Sequence, residues 1–255
     1  MIEAAAALPG PLLVAAGAIA GLIVGSFVGA LIARWPRGES VVRGRSRCDA
    51  CGRGLRVTDL VPVLSFLALR GRCRECGVGI SADHLAAELA CALVGATAFA
   101  AAPPTVAVAG AAFGWVLIAL ALLDATAFWL PDRLTLPLGI AGVLAAGAGL
   151  GVPLRDSLIG AAAGFGVLAL IAVIYRLLRG RVGLGGGDPK LLGAIGAWLG
   201  WTMLPAVLLL ASATGLLLVA LRHVRGRPVS RSDALPLGTL MALAAWPLWL
   251  IRSAA

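Results

Sequence analysis

Long apolar runs broken by short polar segments organise this chain. They fall at 12–33, 85–102, 105–123, 134–150, 158–178, 191–201, 204–221 and 235–251. Most approach the ~20 apolar residues that a membrane-crossing helix requires. The pattern therefore predicts an all-α polytopic membrane protein of about eight transmembrane helices, of which the sixth is short with soft ends. Pro103-Pro104 and Pro205 predict tight connections on the outer side. Only 34–80 is a sizeable polar region. The predicted organisation is a first transmembrane helix in 1–33, a small cytoplasmic insertion in 34–84, and a transmembrane domain in 85–255. Composition agrees: 255 residues are 60% hydrophobic, with a mean hydropathy of +0.99, more apolar material than a soluble domain of this length can bury.

Charge adds an orientation. The formal net charge is +9. Ten arginines lie between Arg34 and Arg74, directly after the first run. That run is longer than a signal-peptide core and is preceded by Glu3 instead of basic residues. Arginines on its far side predict an outside N-terminus and a cytoplasmic insertion. Alternating the spans makes 34–84, 124–133, 176–190 and 222–233 cytoplasmic. These segments hold all of the 21 Lys and Arg except Arg155 and Arg252. A basic patch can bind nucleic acid, but the positive-inside rule accounts for this one. Membrane lipid is the expected partner, and no nucleic acid is expected.

The insertion carries Cys48-Asp49-Ala50-Cys51-Gly52 and Cys73-Arg74-Glu75-Cys76-Gly77. Each pair offers two thiolates on one tight turn, with a glycine free to take positive φ. Four thiolates at this spacing suit a tetrahedral zinc held by Cys48, Cys51, Cys73 and Cys76. A closed four-cysteine site has no open position, so this zinc is structural. A cytoplasmic segment of this size has little core and needs such a staple. Cys91 reads as a small buried hydrophobe, and His84 and His223 as single residues at span edges.

The second unusual stretch is Gly183-Leu184-Gly185-Gly186-Gly187-Asp188-Pro189-Lys190. Glycines let another backbone come close, and an ionisable group at a membrane boundary is a functional candidate. Asp188 before Pro189 also fits an N-cap with proline at the first helical position. Asp124 closes the run 105–123, at the helix end where the dipole disfavours a carboxylate. Asp132, after Leu130-Pro131 and before an apolar run, reads as an N-cap. Asp124 and Asp188 are both predicted at the cytoplasmic rim, on different spans. Two carboxylates brought close share a proton. One can then activate water while the other protonates the scissile group, which is aspartic-protease chemistry.

These motifs together resemble the type IV prepilin peptidases, a family of GxGD membrane aspartic proteases. Gly185-Gly186-Gly187-Asp188 matches the GxGD motif and Pro189-Lys190-Leu191-Leu192 continues it. Leu123-Asp124 with Leu130-Pro131-Asp132 resembles the other aspartate motif. Gly25-Ser26-Phe27, Pro62-Val63-Leu64-Ser65-Phe66, Gly71-Arg72-Cys73 and Gly196-Ala197-Trp198-Leu199-Gly200 agree too. The resemblance covers nearly the whole chain. It departs at Gly29, where the family carries asparagine, and in 83–88, which lacks a proline. It implies cleavage of the basic leader of type IV prepilins or type II secretion pseudopilins at the cytoplasmic face of the bacterial inner membrane. N-methylation of the new N-terminal residue with S-adenosylmethionine would follow. By resemblance Asp124 and Asp188 are catalytic. Gly185, Gly187, Lys190 and Asp132 support the substrate and loop, and Gly71 and Glu88 are tied to methylation. The alternatives are a peptidase without methylation, or a zinc-bearing membrane scaffold or transporter. A transporter would bury its acids at mid-bilayer rather than at one rim.

Overall fold

The computed structural model describes residues 10–41, 45–181, 183–226 and 235–254. Glu3 and the basic residues Arg43, Arg227 and Arg231 lie outside the described residues. Eight helices of 13 residues or more occur among the described residues: α1 (Gly10–Arg34), α2 (Ala82–Ala101), α3 (Pro104–Ala127), α4 (Asp132–Gly147), α5 (Leu154–Arg179), α6 (Gly187–Leu199), α7 (Leu204–Val224) and α8 (Leu237–Ala254). Each falls on one of the predicted apolar runs. The fold is all-helical, and the chain is a multi-pass membrane protein.

Six of these helices are long and apolar enough to cross a membrane: α1, α2, α3, α5, α7 and α8. The expected count of eight spans is not reached by length. At 1.5 Å per residue, α4 and α6 extend about 24 and 20 Å, short of a ~30 Å hydrocarbon core. Glycines in positive-φ conformations set these ends. Gly149 (φ +73°) follows α4, and Gly200 (φ +75°) stops α6.

The chain divides into two compact units, residues 1–122 and 123–255. In the first, α1 and α2 pack along a stripe of glycines spaced four apart. A Cβ at Gly17, Gly21 or Gly25 would overlap the α2 backbone at Gly95, Cys91 and Glu88 respectively, and one at Gly29 would overlap the His84 ring. Small residues at this interval let two helix backbones touch where lipid supplies no hydrophobic drive. Ser81 starts α2, its hydroxyl accepting the Asp83 N–H at 3.2 Å. Trp115 Nε1 on α3 donates to the Cys91 carbonyl at 2.9 Å. Cys91 itself is buried, as expected of a small core residue.

The second unit is built around α6. All its residues but Gly187 and Lys190 are buried, so this short helix is surrounded by protein and need not match the bilayer. Gly160 of α5 and Gly196 of α6 approach until neither could carry a side chain. Polar contacts anchor the C-terminal end of α6 from α5, α4 and α8. Ser157 Oγ donates to the Ala197 carbonyl at 2.7 Å, and Trp198 Nε1 donates to the Leu138 carbonyl at 2.8 Å. Arg252 Nη1 donates to the Leu199 carbonyl at 3.2 Å. A helix fixed on three sides holds its N-terminal Gly187-Asp188 in a defined place.

Candidate active site

Asp124 lies in the last turn of α3, where its backbone carbonyl accepts the Phe128 N–H at 2.9 Å. The carboxylate is 6% exposed. Oδ2 accepts the Thr239 N–H at 2.8 Å and the Thr239 hydroxyl at 3.3 Å, and the Gly238 N–H donates to the same group. Those donors belong to the first turn of α8, where helix N–H groups have no intrahelical acceptor. Pro236 precedes that turn and has no side-chain oxygen to cap it. Asp124 therefore sits at the negative end of its own helix but is compensated by the positive end of another. Gly238 leaves these side chains in place: a Cβ there would come within 2.9 Å of Asp124 Oδ2 and 2.7 Å of Leu130 Cδ1, so one of the two would have to shift.

Asp188, 7% exposed, is the second residue of α6. The expected N-cap geometry is not found. The cap position is Gly186, and Asp188 Oδ2 turns back to accept the Gly185 N–H at 3.1 Å. The Gly185 carbonyl accepts the Asp188 N–H at 3.2 Å, so the glycine loop wraps the aspartate. Gly187 presses on Leu130, whose Cβ would lie 2.6 Å from a Cβ at that position. Leu130 thus touches both Gly187, beside Asp188, and Gly238, against Asp124. The structure brings the two aspartates into one buried neighbourhood, where the charge of Asp124 acts on Asp188.

Asp132 also departs from the N-cap expectation. Pro131 holds the cap position and Asp132 is the first residue of α4, with no side-chain cap. Its carboxylate instead takes Lys190 Nζ at 2.7 and 2.8 Å. A capping aspartate needs a free N2 or N3 amide; the lysine one turn into α6 outcompetes it as a charged donor.

In the first unit, the sulfurs of Cys48, Cys51, Cys73 and Cys76 all lie within 4.8 Å of one another. Cys48 Sγ and Cys76 Sγ are 3.9 Å apart. Tetrahedral zinc with ~2.3 Å bonds sets sulfur–sulfur distances of about 3.8 Å, so the four cysteines could hold a metal such as zinc. The two knuckles share one backbone design. The Cys48 N–H donates to the Arg53 carbonyl and the Gly52 N–H to Cys48; Cys73–Val78 and Gly77–Cys73 repeat this. Gly52 and Gly77 take φ of +71° and +70°, which glycine alone adopts without strain. The Cys76 backbone N–H holds the Cys73 thiol below its ordinary value, whereas Cys76, though its sulfur meets the Val78 backbone N–H, is pushed up to about 11 by the neighbouring thiols and burial.

Glu88, 4% exposed on α2, accepts the Val63 N–H at 2.7 Å and lies 3.8 Å from His84 Nε2. Val63 stands at φ +60°, a costly conformation for a β-branched residue. Gly71 (φ +66°) lies under the Phe66 ring. Glu88 and Gly71 therefore meet the same short segment, Pro62–Phe66, at Val63 and Phe66. Sequence reasoning missed Gly238 and Thr239, met Val63 only within a family motif, and read His84 as a residue at a span edge. Pro236 and Gly238 opening an apolar run were the available signal for the first two: a helix start with no cap of its own.

Residues 19–102 match the Bacterial Peptidase A24 N-terminal domain, and residues 111–220 match the Type IV leader peptidase family. A prepilin leader peptidase/N-methyltransferase of Burkholderia pseudomallei (strain K96243) is 39% identical over 268 residues, spanning 94% of this chain and 86% of that protein. Its namesake in Aeromonas hydrophila is 43% identical over 208 residues, 79% of this chain and 70% of that protein. The one in Pseudomonas putida is 36% identical over 251 residues, 89% and 87%. No solved structure matches. With a peptidase A24 domain over each part and such identity along most of its length, the chain belongs to the prepilin leader peptidase/N-methyltransferase family.

Proposed function

We propose that this protein cleaves the basic leader from type IV prepilins or type II secretion pseudopilins at the cytoplasmic face of the bacterial inner membrane. It then N-methylates the exposed N-terminal residue with S-adenosylmethionine as the second substrate. The observation that carries the reading is the pair Asp124 and Asp188, buried, held by backbone donors from the first turn of α8 and from the glycine loop before α6, and within electrostatic reach of each other.

The pair shares one proton. The ionised carboxylate takes a proton from water as its oxygen bonds to the scissile carbonyl carbon, and the protonated one gives its proton to the carbonyl oxygen. Collapse of the tetrahedral species breaks the C–N bond as the leaving nitrogen takes up the proton gained from water and one hydroxyl proton returns to the carboxylate that had given its own. Gly185 and Gly187 flank Asp188 without side chains of their own, leaving backbone against which an extended leader can lie. The apolar helix of the substrate enters from the bilayer. Lys190 and Asp132 brace the loop.

Residues 85–255 carry the peptidase, and the insertion 34–84 serves methylation through Gly71, with Glu88 at the start of the following helix. Cys48, Cys51, Cys73 and Cys76 hold a structural zinc. The metal adds a fold to a segment with little core and leaves no position for substrate. Among the described residues no donor set marks the seat of the methyl donor.

The test is to incubate purified protein with a prepilin peptide, with and without S-adenosylmethionine, and read product masses. Loss of the leader supports peptidase activity, and a further methyl increment supports the second. An intact peptide under both conditions rejects the reading in favour of a membrane scaffold or transporter.

A further inference from the structure

We propose that the first turn of α8 is a third limb of the active site, with Gly238 and Thr239 as positioning residues for Asp124. This inference rests on the peptidase reading above. Each carboxylate has one oxygen fastened by backbone. Gly185 holds Asp188 Oδ2, and Thr239 holds Asp124 Oδ2. The Thr239 and Gly185 bonds all go to Oδ2 of their carboxylates. The fastened oxygens fix the tilt of each carboxylate plane, and the Oδ1 atoms are left to handle the protons of water and substrate. A carboxylate free to spin about χ2 would offer either oxygen and lose that aim, and a displacement near 1 Å in such a site costs up to about a hundredfold in rate.

The first turn of α8 meets three requirements that a lipid-facing helix start would not. First-turn N–H groups of a helix look outside their own ladder for acceptors, and the Thr239 N–H finds one in Asp124 Oδ2. The Thr239 hydroxyl adds a second donor from the same residue. Gly238 has no room for a Cβ between Asp124 and Leu130, and Leu130 in turn abuts Gly187 next to Asp188. Movement of α8 at this point is thereby transmitted to both aspartates.

The experiment measures kcat and KM for cleavage of a full-length prepilin by detergent-purified full-length protein carrying Thr239→Val, Thr239→Ser or Gly238→Ala. Asp124→Asn and Asp188→Asn run in parallel. Thr239→Val keeps the amide and the shape and loses one hydroxyl hydrogen bond, so kcat falls roughly tenfold at unchanged KM. Thr239→Ser restores the donor and stays within about twofold of the parent. Gly238→Ala pushes Asp124 aside, and kcat falls about a hundredfold. Wild-type kcat in both Thr239→Val and Gly238→Ala would overturn the proposal, as would a loss confined to KM. Since Gly238→Ala could also disturb folding, Thr239→Val decides alone if the alanine variant loses its thermal transition. If both asparagine variants cleave normally, the dyad itself is wrong and the positioning role falls with it. If they are dead while the α8 variants are normal, only this inference fails.

Discussion

Thr239 donates its backbone N–H to Asp124 Oδ2 at 2.8 Å across 115 residues of chain. This contact gives Asp124 a structural role that its place at a helix C-terminus hides. It caps the helix that follows Pro236. Asparagine keeps a side-chain acceptor and so keeps the cap; it cannot do acid–base work. Asp124→Asn is therefore expected to insert and melt like the parent while cleaving at least about a thousandfold more slowly. Asp124→Ala should in addition lose about 1 kcal/mol of stability with the cap. Asp188→Asn should match Asp124→Asn in rate, and the double variant should be no slower, because the two act as one unit. Cleavage rates and melting curves for the four proteins decide this. Normal cleavage by Asp124→Asn would reduce Asp124 to a cap.

The Lys190–Asp132 pair ties α6 to α4 but stands partly in solvent, with side chains 35% and 54% exposed. Exposed pairs contribute about 1 kcal/mol or less. Asp132→Asn and Lys190→Met should each lower kcat by no more than a few fold, and high salt should narrow the gap. A dead Asp132→Asn enzyme would move the catalytic assignment from Asp124 to Asp132.

Metal analysis of the purified protein should give about one zinc per chain. Cys48→Ser with Cys73→Ser, or prolonged chelation, should remove it and expose the arginines of the insertion to trypsin, because folding of so small a unit is coupled to its metal. Methylation should fail with the metal lost while cleavage persists. A preparation free of zinc yet resistant to trypsin would refute the staple.

Glu88 holds Val63 in a conformation valine resists, so its loss should release the Pro62–Phe66 segment. Glu88→Ala leaves the Val63 amide without its acceptor, at about 1–3 kcal/mol if that amide stays dry. The expected product is a cleaved, unmethylated pilin, read as the mature mass without the methyl increment. Full methylation by Glu88→Ala would separate this carboxylate from the second activity.

Orientation can be read by labelling. Pro153 and Arg181 flank α5, and both are exposed. In a background without the native cysteines, Pro153→Cys should react with an impermeant thiol reagent from outside and Arg181→Cys from the cytoplasm. Reaction from the same side would break the alternating topology.

The sequence by itself determined the positions of the eight helices, the four-cysteine cluster and the two aspartate motifs. Apolar runs, knuckle spacing and glycine-flanked acids are local signals, and each depends on neighbours in the chain. It could not determine that α6 is sheathed by α4, α5 and α8, because an apolar run reads alike whether it faces lipid or protein. That difference is why the run at 191–201 gives a helix too short to span. Nor could it reveal the partners of the acids. Asp132 and Asp188 read as caps from their nearest residues, yet Lys190 takes one and Gly185 turns the other back. Asp124 had no partner in its own stretch at all. Its donors, Gly238 and Thr239, come from the last helix, and only the packing of that helix's first turn against Asp124 decides that a carboxylate can be buried there.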